Sequence, residues 1–410
     1  MQHRFFKQQV SSFLNAGKKV FVIVSDALRY EVAEELLGLI RREDRYEASL
    51  KPAISVLPSY TQLGMAALLP HKELSIAENG TVLVDGQSSQ GLVNRMKLLA
   101  QGGDFHSTAL KSNDFMNMNK ETCRTLTREH DVVYLFHNCI DATGDKRESE
   151  ERVFEAVEET LEELLKLIKK LAGANASNML ITADHGFIYQ NRAIDKSDYA
   201  DVEIKGENIL FRDRRFVMGK GLEESVSLKK FSSSNLGLSG DMEVQIPKSI
   251  NRLRLKGSGS RFVHGGASIQ EVVIPVIQIN KKRRSDTSKV EVDILRGSSQ
   301  TITSGQLAVA FYQKDPVSEK RHPRHLRAGI ITQEGELISD SHDLLFDISS
   351  ENSRDRELLV QFVLTREADK ANGQEVFLKL EEKEPGTSFY GEYKTLRYLL
   401  RRSFTSDFDF

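Results

Sequence analysis

Two cysteines, Cys123 and Cys139, are all that the 410 residues contain. That excludes a disulfide framework and suits reduced, buried thiols in a cytosolic protein. Long apolar runs are missing too. No stretch approaches the roughly 20 residues needed to cross a bilayer, and the amino-terminal Met1-Gln2-His3-Arg4-Phe5-Phe6 lacks the apolar core of a signal peptide. A soluble, cytoplasmic protein with no membrane role is therefore expected. Charge of either sign is not in excess: the formal charge is −2 and the pI about 6.6, so composition does not announce a nucleic-acid binder. Three basic runs, Arg212-Asp213-Arg214-Arg215, Lys281-Lys282-Arg283-Arg284 and Lys320-Arg321-His322-Pro323-Arg324, read individually as solvated faces. Repeats and low-complexity segments are also absent, and the length exceeds one ordinary core, so two domains are expected.

What is present is an alternation of apolar strands and helices. Lys19 to Val24 is a continuous apolar run, the mark of a parallel strand covered on both faces, and it ends in Ser25-Asp26. A helix follows from about Arg29 to Arg41. A strand at Tyr46 to Leu50 leads through Pro52 and Pro58 into Ser59-Tyr60-Thr61, and the small residues Gly64 to Leu69 predict a tightly packed helix. Residues 80–86 read as a short strand and Gly102 to Asn119 as a polar surface loop. Asp131 to Phe136 is another buried strand. After His137 comes the longest helix, about Glu148 to Leu171, whose buried stripe is predicted to be Val153, Phe154, Val157, Leu161, Leu164, Ile168 and Leu171. It feeds a strand from Asn178 to Thr182 that ends in Ala183-Asp184-His185-Gly186. Residues about 190–260 break into short charged strands and loops, read as an insertion over the carboxyl edge of the sheet. The core resumes at Phe262-Val263-His264-Gly265-Gly266 and a strand from Glu271 to Ile279. This pattern predicts an α/β domain over residues 1–280, with a mostly parallel sheet flanked by helices. Beyond Lys281 the period changes to two. Strands near Val290–Ile294, Gln306–Tyr312, Arg327–Ile331, Leu344–Ile348 and Leu358–Thr365, with a helix-like Glu392 to Arg402, predict a smaller antiparallel β-sandwich over 287–410.

In an open α/β sheet ligands sit at the carboxyl ends of the strands. The polar residues that fall there are Asp26, Thr61, Asp141, Asp145, Asp184, His185 and His264. Singly, each has a plainer reading: Asp26 as a helix cap, Asp141 or Asp145 as the start of the long helix, His264 as a loop histidine. Together, carboxylates and imidazoles at one edge repel unless a cation neutralises them. They are enough for two divalent ions, an arrangement that clamps the attacking and leaving oxygens in phosphoryl displacement. Arg29, one helical turn beyond Asp26, reads either as a phosphate ligand or as the partner of a nearby glutamate. Glu271 reads either as a support for His264 or as an ordinary strand-end carboxylate.

The ordered set Asp26, Pro58-Ser59-Tyr60-Thr61, Asp141-Ala142-Thr143-Gly144-Asp145, Asp184-His185-Gly186 and His264-Gly265-Gly266 resembles the alkaline phosphatase superfamily. More narrowly, Ser25-Asp26-Ala27-Leu28-Arg29-Tyr30-Glu31, Gln62-Leu63-Gly64-Met65-Ala66-Ala67-Leu68-Leu69-Pro70 and His264-Gly265-Gly266-Ala267-Ser268-Ile269-Gln270-Glu271 resemble the PglZ family of BREX (phage growth limitation) antiphage systems. The resemblance covers roughly residues 18–280. It implies Asp26, Thr61, Asp184 and His185 around one metal, Asp141, Asp145 and His264 around a second, and Thr61 as nucleophile, with Ser59 as the alternative. Asp145 stands where many superfamily members carry histidine, which hardens the second site toward Mn²⁺ or Mg²⁺ against Zn²⁺. The family's defence proteins are commonly longer, so an amino-terminal region beyond this chain is expected.

The resemblance implies a metal-dependent phosphodiesterase or nuclease working with other BREX defence proteins on a nucleic acid or nucleotide. Basic residues at Arg212–Arg215 and Arg252–Arg261 would follow its phosphate backbone. Two alternatives stay open, a phosphatase or mutase on a small metabolite and a catalytically weak scaffold. The carboxyl-terminal domain carries no catalytic signature and suits partner docking.

Overall fold

The computed structural model describes residues 1–255 and 261–402. The chain divides into two compact units, one of Met1–Arg41 with Arg45–Arg284, the other of Arg42–Asp44 with the described residues from Ser285 onward. The first unit is built on six strands: β1 (Val20–Ser25), β2 (Tyr46–Ile54), β3 (Ser107–Lys111), β4 (Val132–His137), β5 (Asn178–Thr182) and β6 (Val273–Lys281). They lie in the order β2-β6-β5-β1-β4-β3. β1 pairs in parallel with β4 and β5, and β3 with β4, while β6 runs antiparallel to both β5 and β2. The sheet is thus mostly parallel, with one reversed strand that carries the chain back from the insertion.

The apolar run of β1 is explained by its central position. Val20, Val22 and Val24 enter one apolar cluster with Tyr134 and Leu180. Phe21 and Ile23 enter the other, with Val133, Leu135, Met179 and Ile181. Each such side chain contributes about 1.5–3 kcal/mol when fully buried, so both faces resist exposure. Helix α1 (Tyr30–Arg42) buries Val32, Leu36 and Ile40 on the second face. Helix α2 (Thr61–Ala67) buries Leu63, Met65 and Ala66 on the first.

Three local expectations are corrected. The stretch expected as a loop from Gly102 to Asn119 contains edge strand β3 and a helix, Ser112–Asn117. An edge strand has one partner, so β3 buries only Ala109 and Leu110 and shows little apolar pattern. After α3 (Ile140–Gly144) the long helix α4 runs Val153–Gly173 behind a 3-10 turn at Glu150–Arg152, not from Glu148. Its buried face is Val153, Ala156, Thr160, Leu164, Leu167, Ile168 and Leu171. Phe154 is 54% exposed and meets Tyr189 edge-on. The strand expected from Glu271 starts at Val273, because Ile269–Val272 forms a short helix.

Strands Gly206–Arg212, Val217–Leu222, Glu243–Pro247 and Leu228–Ser232 form a separate antiparallel sheet within the insertion. Among the described residues, no helix is long and apolar enough to cross a membrane. Cys123 is buried and Cys139 half-buried, both free.

The second unit holds two facing sheets around one core. One contains Val292–Leu295, Gln306–Gln313 and Glu357–Val363. The other contains Thr301–Ile302, Tyr390–Leu400, Glu375–Lys383, Arg324–Ile331 and His342–Phe346. Neighbours run antiparallel except Thr301–Ile302 beside Tyr390–Leu400. Phe311 and Phe362 of the first sheet meet each other, and Phe311 meets Phe346 of the second, closing the sandwich. The segment Glu392 to Arg402, expected as helical, is mostly strand: Leu396, Tyr398 and Leu400 alternate inward at a period of two.

Candidate metal centre

The carboxyl ends of β1, β4 and β5 lie side by side, because Val24 is in register with both Phe136 and Thr182. One residue past the end of β1, the Asp26 amide donates to the His137 carbonyl (2.9 Å). Ala27 then turns at φ 60°, a left-handed conformation costing on the order of 1–2 kcal/mol for a residue with a Cβ. That turn returns the Ala27 amide to Asp184 Oδ1 (3.2 Å), which also accepts the His185 amide (2.9 Å). One Asp184 oxygen is thereby spent on backbone, and Oδ2 has no hydrogen-bond partner among the described residues. Buried Gln2, which sequence reasoning missed, donates to the Asp184 carbonyl (2.7 Å) and braces the turn from behind. In front, α2 packs through Gly64, where a Cβ would lie 2.4 Å from the Asp184 carbonyl oxygen. Only glycine allows that approach, and it places Thr61 over the turn.

His185 is fully buried, and its Nδ1 lies 3.0 Å from the Gly186 carbonyl. A carbonyl can only accept, so Nδ1 carries the proton and Nε2 presents a lone pair. Facing Nε2 are Thr61 Oγ1 at 3.0 Å, Asp184 Oδ2 at 3.3 Å and Asp26 Oδ1 at 3.6 Å. Burial, reinforced by His264, pushes the His185 pKa down to about 3. Burial pushes Asp184 up to about 6, and burial with the charges of Asp184 and Asp141 holds Asp26 well above the carboxylate range. Asp26 Oδ1 and Asp184 Oδ2 are both buried and without a hydrogen-bond partner among the described residues. Three electron-rich atoms thus converge where water is excluded, an arrangement that is costly unless a cation joins it. Two carboxylate oxygens, one imidazole nitrogen and a hydroxyl suit Zn²⁺ or Mn²⁺.

A second cluster stands against the first. Asp141 and Asp145 are four residues apart, at α3 and its carboxyl end. His264 Nε2 lies 3.7 Å from Asp141 Oδ1 and 3.6 Å from Asp145 Oδ1. The His264 ring stacks on His185, with centroids 4.1 Å apart and planes 13° from parallel, so the two clusters share a wall. Burial depresses the His264 pKa, but Asp145, Asp141 and Asp213 outweigh it and lift the pKa to about 10. Burial lifts Asp141 to about 6 despite His264. For Asp145, whose side chain is 59% exposed, the pull of His264 outweighs burial and lowers the pKa. Asp141 Oδ1 and His264 Nδ1 are buried without partners.

All seven residues expected at the sheet edge therefore fall into two adjoining groups. Ser59 does not join them: its buried hydroxyl donates to the Gly266 carbonyl (2.6 Å), fastening the segment before Thr61 to the loop that carries His264. Arg29 is ion-paired with Glu31 and lies 5.0 Å over the Phe187 ring.

The basic run at Arg212–Arg215 is only in part a solvated face, since Arg212 is exposed. Arg214, Arg215 and, further on, Arg252 are buried, 5%, 1% and 1% exposed. Arg215 pairs with Glu271 through two 2.9 Å contacts, and Glu271 also accepts the Gly266 amide (2.8 Å). Burial would raise the Glu271 pKa, but Arg215 holds it below the usual range. The partner of Glu271 is thus Arg215, not His264, and the pair clamps the loop that delivers His264. Asp213, also missed, faces His264 electrostatically while burial raises its own pKa. Part of the stretch expected to be basic and solvent-facing, 256–260, lies outside the described residues.

Comparison with known proteins gives the family. Residues 5–279 match the model of the BREX system PglZ alkaline phosphatase-like domain. The chain is 35% identical to an alkaline phosphatase-like protein PglZ of Bacillus cereus, across 100% of this chain and 48% of that protein. It is 36% identical to an alkaline phosphatase-like protein BrxZ of Escherichia coli, across 99% of this chain and 47% of that protein. The chain spans about half the length of these curated relatives. Similar solved structures include murine ectonucleotide pyrophosphatase/phosphodiesterase 5 at 13% identity and a TM-score of 0.41, covering 64% of this chain and 88% of that one. Phosphonoacetate hydrolase from Sinorhizobium meliloti gives 12% identity and a TM-score of 0.39, covering 64% and 89%.

Proposed function

The chain belongs to the PglZ family of BREX-system alkaline phosphatase-like domains, and from that premise we propose that it is a divalent-metal-dependent phosphodiesterase acting on a nucleic acid or nucleotide within a phage-defence assembly. The observation that carries the reading is the Thr61 hydroxyl, 3.0 Å from the unprotonated nitrogen of His185 and beside two buried carboxylate oxygens with no partner. Asp26, Asp184 and His185 with Thr61 would hold one ion and Asp141, Asp145 and His264 a second; when bound, such ions supply Lewis acidity at the attacking and departing oxygens.

Thr61 Oγ1 attacks phosphorus, the bond to the leaving alcohol breaks, and a phospho-threonine forms. Water then cleaves that ester and restores the hydroxyl. His185, kept neutral by burial, offers its Nε2 lone pair to the hydroxyl and would turn it to the ion once one is bound. The Arg215–Glu271 clamp and the Ser59 bond hold the His264 loop against the Thr61 segment. Asp145 in place of an imidazole favours Mn²⁺ or Mg²⁺ in the second cluster. The β-sandwich unit, with no catalytic cluster among its described residues, is assigned to docking other BREX proteins.

A second reading gains from one observation. With Arg214, Arg215 and Arg252 buried, the expected basic track is thinned to residues such as Arg212 and Arg254, which favours a small phosphorylated metabolite. Hydrolysis of bis-p-nitrophenyl phosphate and of plasmid DNA by metal-stripped protein, with Mn²⁺, Zn²⁺ or Mg²⁺ restored, separates the two. Metal-dependent turnover is expected, and Thr61→Ala should lower it on the order of 10³-fold or more while metal stays bound. Cleavage of the small ester alone would shift the substrate to a metabolite. No turnover by protein carrying stoichiometric metal would overturn the hydrolase reading.

A further inference from the structure

Arg95 belongs to the helix Gly91–Ala100, outside every motif that marks the candidate centre. Its guanidinium carbon lies 4.9 Å from the centroid of the Phe136 ring. Phe136 is the penultimate residue of β4, in register with Val24, two residues before Asp26. Its ring packs against the same apolar cluster as Leu63 and Met65 of the Thr61 helix. Arg95 therefore approaches the carboxyl edge on the face of the sheet that carries Thr61.

The Arg95 side chain is oriented but not satisfied. Its Nε donates to the Ser89 carbonyl (3.3 Å), and the Phe136 ring supports the plane. Its two terminal amines have no hydrogen-bond or ion-pair partner among the described residues. Burial lowers its pKa, opposed by the charges of Asp184 and Asp26, with neither of which it makes a direct ion pair. A guanidinium stays protonated under these conditions, and its terminal amines are not sealed from solvent, so an entering anion can reach them. The arrangement is a cation facing a cluster of metal-type donors, with both of its forked donors free. A tetrahedral oxyanion would complete it, because the planar fork matches two phosphate oxygens.

We propose that Arg95 is a phosphate-binding residue of this centre, taking non-bridging oxygens of a phosphoryl group presented to Thr61. The inference rests on the phosphoryl-transfer reading above and adds to it the group that recognises the anion. It adds to Arg29, whose guanidinium meets Glu31 and the Phe187 ring while its Nε is buried with no partner among the described residues.

The test is calorimetric titration of inorganic phosphate into metal-loaded wild type, Arg95→Gln and Arg95→Lys, with metal content measured on the same samples. Arg95→Gln should weaken phosphate by at least about tenfold at unchanged metal content. Arg95→Lys, which keeps the charge but loses the fork, should fall between. Equal phosphate affinity in wild type and Arg95→Gln would overturn the assignment, as would absence of phosphate binding in wild type. A loss that merely tracks lost metal would also overturn it, since Arg95 would then serve the carboxylates. Should Arg95→Gln fail to fold, Arg95→Lys decides alone, and unweakened binding sinks the proposal. Failure of the hydrolase reading shows separately, as absence of ester turnover by metal-loaded wild type, and leaves the phosphate comparison readable.

Discussion

The two donor clusters share a wall of stacked imidazoles yet settle their charge in opposite ways. In the Asp26–Asp184–His185 group everything is buried, the imidazole is neutral and two carboxylate oxygens lack partners. In the Asp141–Asp145–His264 group one carboxylate is more than half exposed, and the imidazole keeps its proton between two carboxylates. A buried cluster whose nearby counter-charge, Arg95, makes no ion pair with it is completed by protons at low pH and by a cation once its carboxyls ionise. A half-open cluster is eased by a proton and by water. The first group should therefore hold metal more tightly, and the second should exchange it.

Paired variants would break that ranking most directly. Asp184→Ala should abolish metal retention in the buried group and lower ester turnover on the order of 10³-fold or more. Asp145→Ala should cost only about 10- to 100-fold, with metal lost from one of two sites. Equal losses by metal analysis and kinetics would erase the distinction. The clamp comes next. Glu271→Gln leaves Arg215 buried without its carboxylate, a change expected to destabilise by about 3–5 kcal/mol in urea unfolding. A shift within error would show that the loop holding His264 does not depend on this pair.

The smallest effect sharpens the comparison through pH. In metal-free protein Asp141 and Asp184 are raised to about 6, and Asp26 is raised as well. A carboxylate with a raised folded pKa contributes stability below its ordinary value and loses it as pH rises through the folded one. His185, lowered to about 3, acts oppositely over its own range, so three carboxylates oppose one imidazole. Metal-free protein should lose on the order of 1–3 kcal/mol as pH rises from about 4 to about 6. Metal-saturated protein should gain, because ionised carboxylates hold the ion. The melting-temperature gap between the two forms should widen with pH, and a gap that narrows would contradict the assignment.

Some of this was readable from residue order. Asp26, Asp184 and His185 each follow an apolar strand directly, and strand ends converge in a parallel sheet, so their meeting was visible in the pattern. The edge strand β3 was not, because one-sided pairing leaves only Ala109 and Leu110 apolar and buried. The strand Tyr390–Leu400 looked helical because Leu399 and Leu400 interrupt its alternation. Gln2, Asp213 and Arg95 had no signal at all: each matters through a neighbour distant in the chain.

The sequence by itself determined the α/β class, the strand-end positions of the seven donors and the family, since these depend on local periodicity and on motifs in order. Tertiary structure alone decided the use of the charges. Arg215 reads as one of three surface arginines within four residues, yet it is 1% exposed and paired with Glu271 across 56 positions. Ser59, two residues from Thr61, became a fastener, while Thr61 faced the imidazole. Burial and the identity of the facing group set whether a charge is solvated, paired or left waiting for a cation, and neither is a property of the residue's place in the chain.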